Sequence, residues 1–240
     1  LVCRFVNYWS ACHRIEHLHT FRKLSNERFV KHYLARIIPY DQHLGRRCKR
    51  LAQFSVVVNG KTLVEHVLAG GSDLSDLTCL EPACGAGHMA KVLKQYFAEV
   101  HAADAYDHGY GEIRDFLRHP YKCKSFDWVI TNPPFRLAEE FVLRGLHVAR
   151  KGVAILARTV FLESVGRYVG IFRQSPPTKF AQFTERVPMV KGRLDSRATT
   201  ATGYAWLVWE LDVVEPPRLM WVPPCRKQLE RDGDYASLAS

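Results

Sequence analysis

Apolar residues along this chain follow two different periods. The runs at 77–80, 99–103, 126–131 and 152–158 are short and mostly apolar, and they read as buried strands. Between them, residues 89–97 place Met89, Val92, Leu93 and Tyr96 at helical spacing, and 137–150 reads as an amphipathic helix. Residues 161–172 read as a further helix, ended by Ser175-Pro176-Pro177, and 180–187 and 204–210 alternate like a closing hairpin. This alternation predicts an α/β fold: a doubly wound, mostly parallel seven-stranded sheet with a terminal antiparallel hairpin and ligands at the carboxyl ends of its strands. Upstream, Phe29, Val30, Tyr33, Leu34 and Ile37 give 27–38 one apolar helical face that stops at Pro39, and 64–68 reads as a short helix. The expected organisation is a partly helical extension over 1–57, a main domain over 58–214, and a loose Pro-containing tail over 215–240.

Two strand-to-loop junctions carry candidate chemistry. The first strand runs into Glu81-Pro82-Ala83-Cys84-Gly85-Ala86-Gly87 and then a helix, the nucleotide-binding corner of an α/β sheet. Gly85 and Gly87 let the backbone pass close to a ligand because they have no Cβ. The strand over 99–103 ends on Asp104, suited to accept hydrogen bonds from ribose hydroxyls. The segment 85–90 also fits the dinucleotide fingerprint with Ala in last place. The Glu81-Pro82 pair weighs against that reading, because its charge would repel a pyrophosphate and suits a ligand with a cationic amino acid end. The second junction is Asn132-Pro133-Pro134-Phe135. Two prolines that cannot donate to a ladder end the strand in a rigid turn. That turn offers the Asn132 amide, two backbone carbonyls and an aromatic ring to a planar substrate bearing an amino group.

The two junctions together resemble those of the amino-methyltransferases, in particular the N6-adenine DNA methyltransferases and the small S-adenosylmethionine-dependent enzymes of phage and prophage genomes. The resemblance covers roughly 61–210 and implies a Rossmann-like class I methyltransferase fold with S-adenosyl-L-methionine as cofactor. It implies cofactor contacts from Glu81, Pro82, Ala83, Gly85 and Gly87, a ribose-binding acid at Asp104, and a pair that recognises the cofactor adenine at Asp115-Phe116. It makes Asn132, Pro133, Pro134 and Phe135 the catalytic loop. An exocyclic amine is a poor nucleophile, and hydrogen bonds to Asn132 and the Pro133 carbonyl would localise its lone pair. A base in duplex DNA would have to be flipped out to reach Phe135. The alternatives the resemblance leaves open are methyltransferases of RNA, at guanine N2 or adenine N6, and, with related turns, of protein glutamine; a catalytically inactive nucleic-acid-binding relative is the alternative from another class. The sequence departs from the family at 58–63, where relatives carry a Thr-Pro-Pro-like segment.

Composition narrows the partners. The 240 residues carry a net charge of +10, and residues 1–57 hold 11 Lys/Arg against 3 Asp/Glu, a basic arm that suggests a polyanion. DNA is favoured over RNA as that partner. Lys191, Arg193 and Arg197, in a basic and hydroxyl-rich stretch, are the expected nucleic-acid contacts, together with the Tyr106-His108-Tyr110 loop. Seven cysteines without a Cys-x-x-Cys pair argue against a disulfide framework and for a reducing cytoplasm. Cys79 and Cys84 read as packing residues, since amine methylation needs no thiolate. Cys12, His13, His17 and His19 lie close together, but no further Cys/His pair completes a metal spacing, so no metal is expected. No run of 18 apolar residues suggests a membrane span.

Overall fold

The computed structural model describes residues 53–68, 73–185 and 203–229. Residues 1–52 of the basic arm expected over 1–57, with its expected helix and Cys/His cluster, and the basic stretch holding Lys191, Arg193 and Arg197 lie outside the described residues.

Eight strands form one sheet in the order β3-β2-β1-β4-β5-β7-β6-β8. They are β1 Thr78–Glu81, β2 Glu99–Asp104, β3 Glu112–Ile113, β4 Phe126–Thr131, β5 Ala149–Arg158, β6 Lys179–Phe183, β7 Tyr204–Glu210 and β8 Arg218–Val222. Strands β1 to β5 run parallel, β7 is antiparallel to both β5 and β6, and β6 and β8 are parallel. This is the expected doubly wound, mostly parallel Rossmann-like sheet with its antiparallel hairpin. The count is eight strands rather than seven. The segment beyond Glu215, expected as a loose tail, supplies β8, whose Arg218 to Val222 pair with Lys179 to Phe183. Prolines flank this strand at 216–217 and 223–224, and flanking prolines bound a strand without removing a donor from inside it.

Continuous apolar strands are buried on both faces. On one face Trp128, Ile130, Ala154, Leu156, Trp206 and Val208 pack with Leu63, Met89 and Leu93. On the other, Val129, Val153, Ile155, Leu207 and Trp209 pack with Phe141 and Val142. The period of two assigns neighbours along each strand to opposite layers. Asp127 pins the amino end of this sheet: its Oδ2 accepts from the Thr78 backbone N–H and hydroxyl at 2.9 Å each, and Arg150 donates to both carboxylate oxygens. One side chain thus ties the starts of β1, β4 and β5 together.

Helices cover both layers. Helix α1, Gln53–Thr62, continues as a π-helical turn over Leu63–Leu68. The departing segment 58–63 is therefore helical, with Asn59, Lys61 and Thr62 all buried. Thr62 Oγ1 donates to the Val58 carbonyl and Lys61 Nζ to the Leu229 carbonyl, and Trp206 Nε1 donates to the Asn59 backbone carbonyl, while the Asn59 side-chain amide has no hydrogen-bond partner among the described residues. Gly60 lets the helix lie against Met89 and Val92 of α2, His88–Leu93. The expected helix over 89–97 ends at Leu93 and unwinds through turns bonded back to α2. Helix α3, Ala138–Val148, lies where expected. The expected helix over 161–172 is instead a 3-10 turn, Thr159–Leu162, then α4, Val165–Arg167, then a π turn, Tyr168–Phe172. The break falls where Ser164 takes extended backbone and its hydroxyl accepts the Arg167 N–H. Helix α5, Arg226–Leu229, closes the described chain.

Candidate active site

Strand order reverses between β1 and β4, so the crevice for a ligand opens at their carboxyl ends. Parallel pairing of β1 with both β2 and β4 brings three expected elements to that edge: the 81–87 loop, Asp104 and Asn132.

Gly85 and Gly87 have φ of +53° and +79°, values that favour glycine, and a Cβ on Gly85 would meet nothing within 4 Å. The Cys84 N–H donates to the Ala103 carbonyl, and the Gly85 N–H donates to Asp104 Oδ2 at 3.0 Å. Asp104 Oδ1 accepts the Tyr106 N–H at 3.0 Å and faces His108 Nε2 at 3.4 Å. The acid thus shapes the glycine turn and organises the loop that follows it. That loop folds inward. Tyr110 lies so close to Gly87 that a Cβ there would come within 2.2 Å of its ring, while Lys91 and Lys94 flank the ring at 5.4 and 5.8 Å.

Glu81 is almost fully buried, with Oε2 unpartnered among the described residues. Burial pushes its carboxyl up to about 8, against a hydrogen bond from the Ala90 N–H and with a further push from Asp104. The acid is therefore mostly protonated at neutral pH, and the charge repulsion invoked against pyrophosphate does not operate as stated. Its visible work is to tie the end of β1 to α2. A carboxyl raised from about 4.5 to about 8 binds more protons folded than unfolded. Its contribution is complete at low pH and is lost as pH climbs through that window. Thermal melts should show midpoints falling between pH 5 and 8, and Glu81→Gln should flatten that slope; an unaltered slope in the variant would assign the pH dependence to other groups. Cys79 and Cys84 are buried, and burial raises the Cys84 thiol to about 12, with Glu81 and Asp104 adding to the effect. Both fit their reading as packing residues.

The Asp115-Phe116 pair follows β3 after one intervening residue, Arg114. Asp115 Oδ1 accepts the Leu117 N–H at 2.9 Å, and its other oxygen faces Arg118 at 3.5 Å. Phe116 is buried against Tyr121 and Phe141.

At the end of β4 the diproline turn stands as the sequence indicates. Pro133 is buried, Pro134 and Phe135 are exposed, and the Leu137 N–H closes onto the Pro134 carbonyl at 2.8 Å. Asn132 Oδ1 is buried and has no hydrogen-bond partner among the described residues. Such an acceptor is costly to leave unpaired and marks a place for a donor. Two neighbours were not anticipated: Arg158 stacks its guanidinium 4.6 Å from the Phe135 ring centre, and Tyr204 tilts against the same ring at 5.9 Å. Their only sequence signal is a position at the ends of the runs expected as strands over 152–158 and 204–210.

No family model and no curated protein matches the chain. Among solved structures, the methyltransferase subunit of a type I restriction-modification system from Streptococcus thermophilus superposes with a TM-score of 0.52 at 9% identity, over 78% of this chain and 51% of that one. A protein from Listeria monocytogenes, described as a class I S-adenosylmethionine-dependent methyltransferase, gives 0.47 at 14% identity over 70% of this chain and 63% of that one. One from Pyrococcus horikoshii, described as an RNA methyltransferase, gives 0.45 at 14%, over 65% and 81%. The chain thus spans about half the length of the restriction-modification subunit and under two thirds of the Listeria protein. At these identities the likeness is one of fold: this is the Rossmann-like fold of class I methyltransferases.

Proposed function

We propose that the protein is an S-adenosylmethionine-dependent methyltransferase acting on an exocyclic amine, with N6 of adenine in DNA as the first substrate to test. One observation carries the reading. The glycine turn with Asp104 and the Asn132-Pro133-Pro134-Phe135 turn open on the same sheet edge, on either side of the strand-order reversal, and Asn132 Oδ1 there has no donor among the described residues.

The cofactor's fit rests on the two left-handed glycines, the open space over Gly85 and the carboxylate of Asp104 beside them. Glu81, Pro82 and Ala83 shape the start of that turn, and Asp115 and Phe116 stand at the end of the neighbouring strand. When bound, S-adenosylmethionine supplies an electrophilic methyl group. The protein's own part is positioning. Asn132 Oδ1 accepts one N–H of the substrate amine and the Pro133 carbonyl the other, which holds the nitrogen lone pair out of the ring and aims it along one line. Phe135 offers a face for stacking a base extruded from its helix. Lys191, Arg193 and Arg197 are proposed to hold the nucleic-acid backbone.

Transfer of labelled methyl to unmethylated DNA, total RNA and protein, followed by digestion to nucleosides or amino acids, tests the reading. Label in N6-methyladenine from DNA is expected. Label confined to RNA guanine or protein glutamine would keep the chemistry and replace the substrate; no transfer and no thermal shift with S-adenosylhomocysteine would reject it.

A further inference from the structure

Three arginines, Arg150 at the amino end of β5, Arg158 at its carboxyl end and Arg167 beyond it, differ in how they are satisfied. Arg150 is held by Asp127, and Arg167 donates to the carbonyls of Phe161 and Val160 while resting on the Phe161 ring. Arg158 is exposed, and among the described residues its guanidinium has no hydrogen-bond acceptor or carboxylate; its contact is the face of Phe135.

Sheet register explains how it arrives there. Thr131 pairs with Ile155, so β4 and β5 emerge at the same edge; three residues later β5 ends on Arg158, while β4 has turned through the prolines to Phe135. Across the next ladder Arg158 pairs with Tyr204, the third member of the cluster. A cation on an aromatic face is attracted by the ring quadrupole, which biases the rotamer of a long side chain. The planar fork of donors is thereby held beside the amine-binding turn and left without a partner. Its geometry matches the oxygens of a phosphate.

We infer that Arg158 is a substrate-phosphate anchor, held by Phe135 and Tyr204, that selects a nucleotide within a polynucleotide over a protein amide. This rests on the amine-methyltransferase reading and sharpens its substrate class. Arg158 is a binding and specificity residue, and the reacting nitrogen stays with Asn132.

The test uses the full chain, with labelled mixed-sequence DNA duplex, single-stranded DNA and RNA titrated over a series of KCl concentrations. Arg158→Ala should weaken binding about tenfold and reduce the slope of log affinity against log salt by about one. Arg158→Lys should keep the slope while losing part of the affinity. Thermal shift with S-adenosylhomocysteine should be unaltered in both, and KM for the polymer should rise with kcat nearly constant. Wild-type affinity and slope in Arg158→Ala would overturn the inference. So would a wild-type chain that methylates protein glutamine and ignores every oligonucleotide, an outcome that leaves the methyltransferase reading in place. No response to S-adenosylhomocysteine, with oligonucleotide binding still lost in Arg158→Ala, would reject that reading and overturn the substrate role, leaving Arg158 as a phosphate contact of a nucleic-acid-binding protein.

Discussion

Asn132→Ala should lower methyl transfer by about two to three orders of magnitude, the cost typical of removing one preorganised hydrogen-bonding group from the reacting centre. Binding of S-adenosylhomocysteine should be unaffected, since the glycine turn and Asp104 lie on β1 and β2 and do not depend on this amide. Stability supplies an independent readout. Asn132 Oδ1 is buried and unpaired, so the folded protein carries the desolvation penalty of an orphaned acceptor, about 1–3 kcal/mol, until a donor arrives. Alanine removes that acceptor, and the melting temperature should stay level or rise as activity collapses, the trade expected where stability has been given up for function. A purely structural Asn132 would behave in the opposite way, losing stability with activity in proportion. Turnover near wild type in the variant would sink the amine-positioning mechanism outright.

The sheet was largely legible because its signal is dense. Strands such as Trp128-Val129-Ile130 and Val153-Ala154-Ile155-Leu156 bury every position, and runs this short, rich in β-branched and aromatic residues and bounded by Gly or Pro, read as strands covered on both faces. The two turns were legible for a related reason: glycine at positive φ and proline at a strand end are local requirements that tertiary context seldom overrides. Other features depended on distant partners. Val58 to Thr62 looks too polar for a buried helix until Leu229 and Cys225 arrive from the far end of the chain to meet Lys61 and Thr62. β8 was hidden because Pro216 and Pro217 suggest a loose segment, whereas the strand they precede gains its ladder from β6. Within the site, sequence pointed to Asp104 as a ligand-facing acid but not to its bonds with Gly85, Tyr106 and His108. The neutral state of Glu81 was equally out of reach, since burial is a property of the whole fold.

The second large effect concerns the frame that carries Asn132. Gly152 sits on β5 beneath Trp128 of β4, and a Cβ built there would lie 2.4 Å from the indole ring, far inside contact distance. Trp128 is itself buried among Met89, Ile130 and Ala154, so the ring has little room to retreat. Gly152→Val should therefore destabilise the fold by about 3 kcal/mol, the upper end of ordinary overpacking, seen as a lowered denaturation midpoint. The cause can be separated from the β propensity of valine, which by itself favours a strand. Trp128→Leu alone should also destabilise, through the cavity it leaves. If steric overlap is the cause, the double variant should be more stable than the sum of the two losses predicts, with a coupling of about 1 kcal/mol or more. Additive losses would mean that the overlap is relieved elsewhere. Because Trp128 and Gly152 are paired in the β4–β5 ladder, an overlap at this point pushes apart the strands that deliver Asn132 and Arg158 to the same edge. Methyl transfer by the Gly152→Val protein should therefore fall well below that of the wild type at equal folded fraction, because catalysis by positioning tolerates little displacement of the residues that do the positioning.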